Sequence, residues 1–209
     1  MINSVPVTIE KIMTEEFAVI SDNCFSVGVY KLLNMRYTSP FMFCIIPNPE
    51  YIKLLGDFDK YLSLPLKFMD SWEDSKYHAT NHVKTEDVGL LGDVEIHFMH
   101  AGESYLGKKD IAEKYARRLE RFMRVPKDKI LFKFGDLTNL KKERLKYDNF
   151  EKLIADFHAL PLKNKVSFTF EKWQYEGNYV MHNDHTLNSP VLGRDVQNYF
   201  DLKKMMESN

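Results

Sequence analysis

Three polar residues, Asp22, Asn23 and Cys24, end a short apolar run and open a helical pattern in FAVISDNCFSVGVY. A thiol in the first turn of a helix meets unpaired backbone N–H groups and the positive end of the helix dipole, which favour its thiolate. Cys24 is therefore a candidate nucleophile. The same turn could instead bind an anionic substrate, with Asp22 and Asn23 at the helix mouth and Asn23 as donor. The plainer alternative is a small buried residue where helix meets sheet, the usual fate of a free cysteine. Gly28 lies one turn behind Cys24 and leaves space on its flank. The turn has no glycine before Gly28, so it is neither a dinucleotide fingerprint nor a P-loop, and no cofactor is implied.

The segment DVEIHFMHAGE carries the next candidates. In a strand, Glu95 and His97 share one face while Phe98 and His100 share the other. His100 would emerge at the carboxyl end, where a general base belongs. His97 lies deeper, either oriented by Glu95 for catalysis or held as a hydrogen-bonded core histidine. His78 and His82 are four apart, and MHNDH brings His182, Asp184 and His185 close in sequence. Neither spacing has the H-E-x-x-H pattern, and solvated loop histidines account for both, so no metal is expected.

In KKDIAEKYARRLERFMR the apolar stripe is Ile111, Tyr115, Leu119 and Phe122. At 100° per residue Arg118 falls inside that stripe, with Arg117, Arg121 and Arg124 on the other side. A core-facing guanidinium needs a carboxylate, carbonyls or a bound anion. Arg118 is thus either a substrate-binding residue or one half of an ion pair with Asp93 or Glu95. Glu113 and Arg117 have the spacing of an ordinary exposed helix pair.

The elements that must position these residues alternate. Phe17 to Ile20 reads as a buried strand, Cys24 to Asn34 as a helix and Phe41 to Ile46 as a second buried strand. That is the length of a βαβ unit, which predicts that the two strands are parallel neighbours in one sheet. Further strands are expected within Val88 to Met99, at Ile130 to Phe134 and at Val166 to Phe170. Helices are expected at Glu50 to Leu62, Gly107 to Arg124 and Tyr147 to Leu160. The class predicted is α/β, an open, mostly parallel sheet with helices on both faces. Residues 63–86 read as a long loop or lid. Residues 171–209 form a weaker C-terminal extension with a helix at Asp195 to Met206, all within one domain of residues 1–209. Ligands of such sheets bind beyond the carboxyl ends of the strands, which directs attention to the turns after Ile20, Ile46, Met99, Phe134 and Phe170.

Bulk properties narrow the partners. A formal charge of −1 over 209 residues supplies no global field toward nucleic acid or anionic lipid, so a polyanion site has to be a local patch. Two cysteines, the absence of an apolar segment in MINSVPVTIEKIMTEEF and the absence of a membrane-length apolar run lead to the expectation of a cytoplasmic protein. Contact with a membrane or an assembly complex would come through a partner.

Together, FAVISDNCFSVGVYKLLNMRYTSPF, VGLLGDVEIHFMH, KYARRLERF and NKVSFTF resemble a bacterial family labelled exopolysaccharide or capsular polysaccharide biosynthesis protein. The resemblance runs from about Phe17 to Phe170. Phe25 keeps the aromatic that follows the cysteine in that family, while Ser26 stands in place of its glycine. The resemblance implies surface-polysaccharide assembly, with a transferase acting on a sugar or sugar-linked donor as the leading expectation. A looser similarity to papain-like cysteine peptidases rests on Cys24, on His100 or His97, and on Arg117-Arg118. It implies a Cys–His hydrolase or acyl transferase. A non-catalytic binding subunit of a polysaccharide assembly complex is the third expectation.

Overall fold

The computed structural model describes residues 17–32, 34–78, 87–98, 107–135, 150–169, 174–175 and 178–180. In chain order its elements are β1 (Ala18–Ser21), α1 (Phe25–Leu32), β2 (Cys44–Ile45), α2 (Asn48–Gly56), α3 (Phe58–Ser63) and β3 (Leu66–Phe68). They continue with β4 (Asp87–Leu91), β5 (Val94–Phe98), α4 (Lys108–Phe122), β6 (Ile130–Gly135), α5 (Phe150–Ala159), β7 (Lys165–Thr169) and β8 (Asn178–Val180).

The strands form two sheets. One is parallel throughout, in the order β1-β6-β7-β8, and the other is antiparallel, in the order β2-β5-β4-β3. The class is α/β, but the fold is not mostly parallel. The expectation that the Phe17 and Phe41 runs are parallel neighbours is overturned. The neighbour of β1 is β6, with Ala18 opposite Ile130, whereas β2 pairs antiparallel with β5, Cys44 opposite Phe98. An apolar run reports burial and says nothing of which strand lies beside it. The chain also turns sharply before β2, where Phe43 adopts φ +61°, a conformation rarely taken by a bulky side chain. The two sheets touch at their ends, where the Ile46 N–H donates to the Asp22 carbonyl at 2.8 Å.

Within residues 63–86, read from the sequence as a long loop or lid, the described part carries two short elements. Leu66–Phe68 is the edge strand β3, paired with β4, and Trp72–Asp74 forms one 3₁₀ turn. β4 and β5 make a hairpin around Gly92-Asp93, and Gly92 supplies the positive φ of +61° at the first turn position. β8 attaches part of the C-terminal extension to the parallel sheet beside β7. The helix expected at Asp195 to Met206 lies outside the described residues.

One apolar cluster takes side chains from both sheets: Ile20, Phe132 and Phe134 from the parallel one, and Cys44, Ile96 and Phe98 from the antiparallel one. Tyr51 of α2 packs on the parallel sheet, stacked on Phe134 and donating its hydroxyl to the Ile20 carbonyl at 2.9 Å. Among the described residues no helix is long and apolar enough to cross a membrane.

Candidate functional site

Parallel pairing puts the carboxyl ends of β1, β6, β7 and β8 on one edge, and the 21–24 turn stands there. Its geometry is set by local side-chain bonds. The Ser21 hydroxyl accepts from the Ser26 N–H at 3.3 Å, and Asn23 Oδ1 accepts from the Phe25 N–H at 3.0 Å. Both serve donors at the start of α1 that the helix itself leaves unpaired. Asn23 is therefore a cap, with its Nδ2 directed at the Gly135 carbonyl at 3.4 Å.

Asp22 is committed inward rather than toward a ligand. Lys133 Nζ donates to Asp22 Oδ1 at 2.8 Å and to the Gly135 carbonyl at 3.3 Å, and the Gly135 N–H donates to Asp22 Oδ2 at 2.9 Å. Both charged side chains are buried, at 0% and 2% exposure. Burial raises the Asp22 carboxyl above its ordinary range, while Lys133 and the Gly135 N–H pull it back down. Lys133 also lies 5.7 Å from the Phe25 ring. Lys133 was the residue missed by reading the sequence for site chemistry. Its signal was present, a lysine inside the otherwise apolar strand ILFKFG, since a charge in a buried strand requires a partner.

Cys24 is half-buried, and its Sγ lies 4.0 Å from the Cys44 carbonyl oxygen. Burial pushes the thiol up to about 11, outweighing the lowering by Lys133 and Lys31. The expected activation by the helix start is therefore overridden: the cost of burying a thiolate exceeds the help from the helix dipole and the two lysines. Cys44 is fully buried and is pushed up further still.

His97 is fully buried on β5, its Nε2 3.4 Å from Glu95 Oε2, with Trp72 and Tyr77 edge-on at 5.5 and 5.7 Å. Glu95 also accepts from the Ser75 hydroxyl at 2.7 Å and from the Lys76 N–H at 3.1 Å. The predicted sharing of one strand face by Glu95 and His97 is met. Their face is opposite to that of Phe98 and Cys44, because Ile45 pairs with His97 and Cys44 with Phe98. His97 is thus not brought to Cys24, and it joins a buried polar group that fastens residues 75–77 onto the sheet. Glu50 of α2 completes this group, accepting from the Glu95 N–H, Lys76 Nζ and the Tyr77 hydroxyl at 3.1, 3.1 and 3.2 Å. His100, His82, His182, Asp184 and His185 lie outside the described residues. Among the described residues no three His, Cys, Asp or Glu side chains are placed to hold a metal.

Arg118 is half-buried, as its place between the buried Tyr115 and Phe122 requires. Neither Asp93 nor Glu95 pairs with it. Asp93 takes Lys53 at 2.5 Å and the Tyr61 hydroxyl at 3.1 Å, and Glu95 takes Ser75 and Lys76. The guanidinium lies instead 5.7 Å from the Tyr37 ring and 5.6 Å from the Phe43 ring. Desolvation lowers its pKa, and Arg121 and Arg117 add to the lowering. Arg121 is half-buried too, not on the far side of the helix. Among the described residues Glu113 and Arg117 form no ion pair; Lys114 pairs with Asp110, and Arg124, just past α4, with Glu120.

The family model described as a domain of unknown function, DUF1919, matches residues 3–205. The chain belongs to the DUF1919 family. A protein of Haemophilus influenzae described as uncharacterized is 29% identical to it over 163 residues, 78% of this chain and 66% of the relative. The chain thus spans just under two thirds of that relative. In this DUF1919 chain, then, the strand-end turn carries a capped helix start, a buried Asp–Lys pair and an unactivated thiol. Among the described residues, Arg117, Arg118 and Arg121 of α4 have no acidic partner.

Proposed function

We propose that this chain is an enzyme of bacterial surface-polysaccharide biosynthesis, a transferase acting on a sugar or sugar-linked donor. The observation that carries the reading is Arg118, a half-buried cation with aromatic neighbours and no carboxylate partner among the described residues. A guanidinium so placed suits the negative charge of an activated sugar donor. The sequence resemblance supplies the pathway. In this reading Arg118 binds the anionic part of the donor and His100 is the general base. Asn23 shapes the strand-end turn through its cap, and Asp22 holds that turn through Lys133, a positioning role in place of the substrate contact first expected.

The Cys–His hydrolase reading has less support, because Cys24 is raised to about 11 and its sulfur approaches a carbonyl, with no imidazole contact among the described residues. The test is a panel of nucleotide-linked sugars, screened by thermal shift and then assayed for release of the nucleotide with candidate acceptors. Turnover that survives Cys24→Ser and is lost in Arg118→Gln and His100→Ala is the expected result. Full activity in both latter variants overturns the assignment, and donor binding without turnover turns the reading to a binding subunit.

A further inference from the structure

Arg118 does not stand alone. Arg121, one turn further along α4, is lowered by its own burial and by the charges of Arg36 and Arg117, and Arg118 is lowered in turn by Arg121 and Arg117. Arg117, Arg118 and Arg121 lie within one turn of α4, and the Arg118 guanidinium is 5.7 Å from the ring of Tyr37, the residue after Arg36, so an exposed arginine from a second segment adjoins the three in a chain whose formal charge is −1. Like charges so gathered repel, and an anion seated among them relieves that repulsion. Glu120 offsets part of this repulsion at Arg121 and is itself paired with Arg124. The side chains of Arg36, Arg117 and Arg118 have no carboxylate partner among the described residues, and Arg121 Nε donates only to the Arg117 carbonyl, at 3.1 Å.

The aromatic surroundings point the same way. Tyr37 and Phe43 meet edge to face at 5.7 Å, and the Arg118 guanidinium lies over both rings. Ring contacts orient a guanidinium without using its N–H donors, so the whole fork stays available to planar bidentate acceptors. Phe43, at φ +61°, holds a backbone conformation rarely taken by a bulky side chain. Tyr37 and Phe43 both keep part of their surface exposed. One turn before Arg118 on α4, the Tyr115 hydroxyl, on a side chain 4% exposed, has no hydrogen-bond partner among the described residues.

We infer that Arg118, braced by Tyr37 and Phe43 and flanked by Arg36, Arg117 and Arg121, forms a binding site for a diphosphate group. This rests on the transferase reading and gives its donor a class: a sugar activated through a diphosphate, carried on a nucleoside or on a lipid. Several forks converging on adjacent phosphates satisfy more acceptors than a single phosphate or a sugar carboxylate presents.

The test is titration calorimetry of the full chain with inorganic pyrophosphate, against inorganic phosphate as reference. Wild type is expected to bind pyrophosphate at least tenfold more tightly than phosphate. Arg118→Gln is expected to weaken pyrophosphate binding roughly 10- to 100-fold, the usual loss for a hydrogen bond to a charged group. Tyr37→Ala should weaken it several-fold and Tyr37→Phe should not, because the ring face does the bracing. Unchanged urea midpoints establish that the variants fold. UDP, and phosphatidylcholine vesicles carrying a polyprenyl diphosphate, then separate the two carriers; Arg118-dependent binding of either supports the site. No pyrophosphate binding by wild type, or binding that survives Arg118→Gln, overturns it. Pyrophosphate binding without any sugar transfer leaves the site standing and removes the transferase. Sugar transfer undiminished by Arg118→Gln keeps the transferase and removes the site.

Discussion

Replacing Asp22 by Ala takes the carboxylate from Lys133 and from the Gly135 N–H together. Lys133 is fully buried and Asp22 nearly so, and their contact is 2.8 Å, so solvent cannot take over the freed charge. Breaking a buried pair from one side costs about 3–5 kcal/mol, because the surviving charge is left uncompensated. For a domain of this size that is a fall of roughly 10 °C in Tm. The companion variant Asp22→Ala/Lys133→Met removes both charges and leaves the Gly135 N–H without its acceptor, at about 1–3 kcal/mol. The double variant is therefore expected to be more stable than the single one, an ordering that mere loss of packing does not produce. Urea unfolding followed by far-UV circular dichroism measures both, provided the denaturant slope is unchanged. An Asp22→Ala variant within about 1 kcal/mol of wild type would refute the assignment of a buried, mutually dependent pair. So would a double variant no more stable than the single.

Cys24 is expected to alkylate before Cys44, yet slowly at neutral pH, with a rate that climbs about tenfold per pH unit toward its value of about 11; labelling at pH 7 as fast as a free thiol would show that the thiol is not buried as described. His158 is pushed down to about 4 by burial and by Lys165, its ring stacked on Tyr175. The unfolded chain takes up that proton below about 6.5 while the folded chain does not, so stability is present above 6.5 and is lost as pH falls toward 4. Discounted for the ring's partial exposure, the loss is about 1–2 kcal/mol; it should vanish in His158→Gln, and an unchanged pH slope there contradicts the assignment. Glu95→Ala strips acceptors from Ser75 and Lys76, so the Lys76 amide should exchange its hydrogen at least tenfold faster, an effect of about 1–3 kcal/mol. Exchange at the wild-type rate would mean that Glu95 does not fasten this segment.

Local pattern was legible in the sequence where one element decides the outcome. The stripe Ile111, Tyr115, Leu119 and Phe122 sets the α4 register, and Arg118 emerges half-buried within it as the helical angle requires. The shared face of Glu95 and His97 follows from the two-residue period of a strand, and the turn at Ser21 to Asn23 from the capping chemistry of those residues. These are short-range facts, fixed by backbone geometry within a few residues.

What lies beside each element was decided only by the tertiary structure. Cys24 begins a helix, and that alone favours a thiolate; burial in the folded chain, where its sulfur lies 4.0 Å from the carbonyl oxygen of Cys44, 20 residues on, outweighs it. The partner of Asp22 is 111 residues away on the next parallel strand, and no spacing pattern links the two. Phe17 to Ile20 and Phe41 to Ile46 read alike as buried runs, yet they enter different sheets because pairing is a contest among all the strands of the chain. The gathering of Arg36 against Arg117, Arg118 and Arg121 belongs to the same class. Side-chain types and their local phase are written along the chain, whereas desolvation and charge proximity depend on distances in space, and those exist only once the chain has folded.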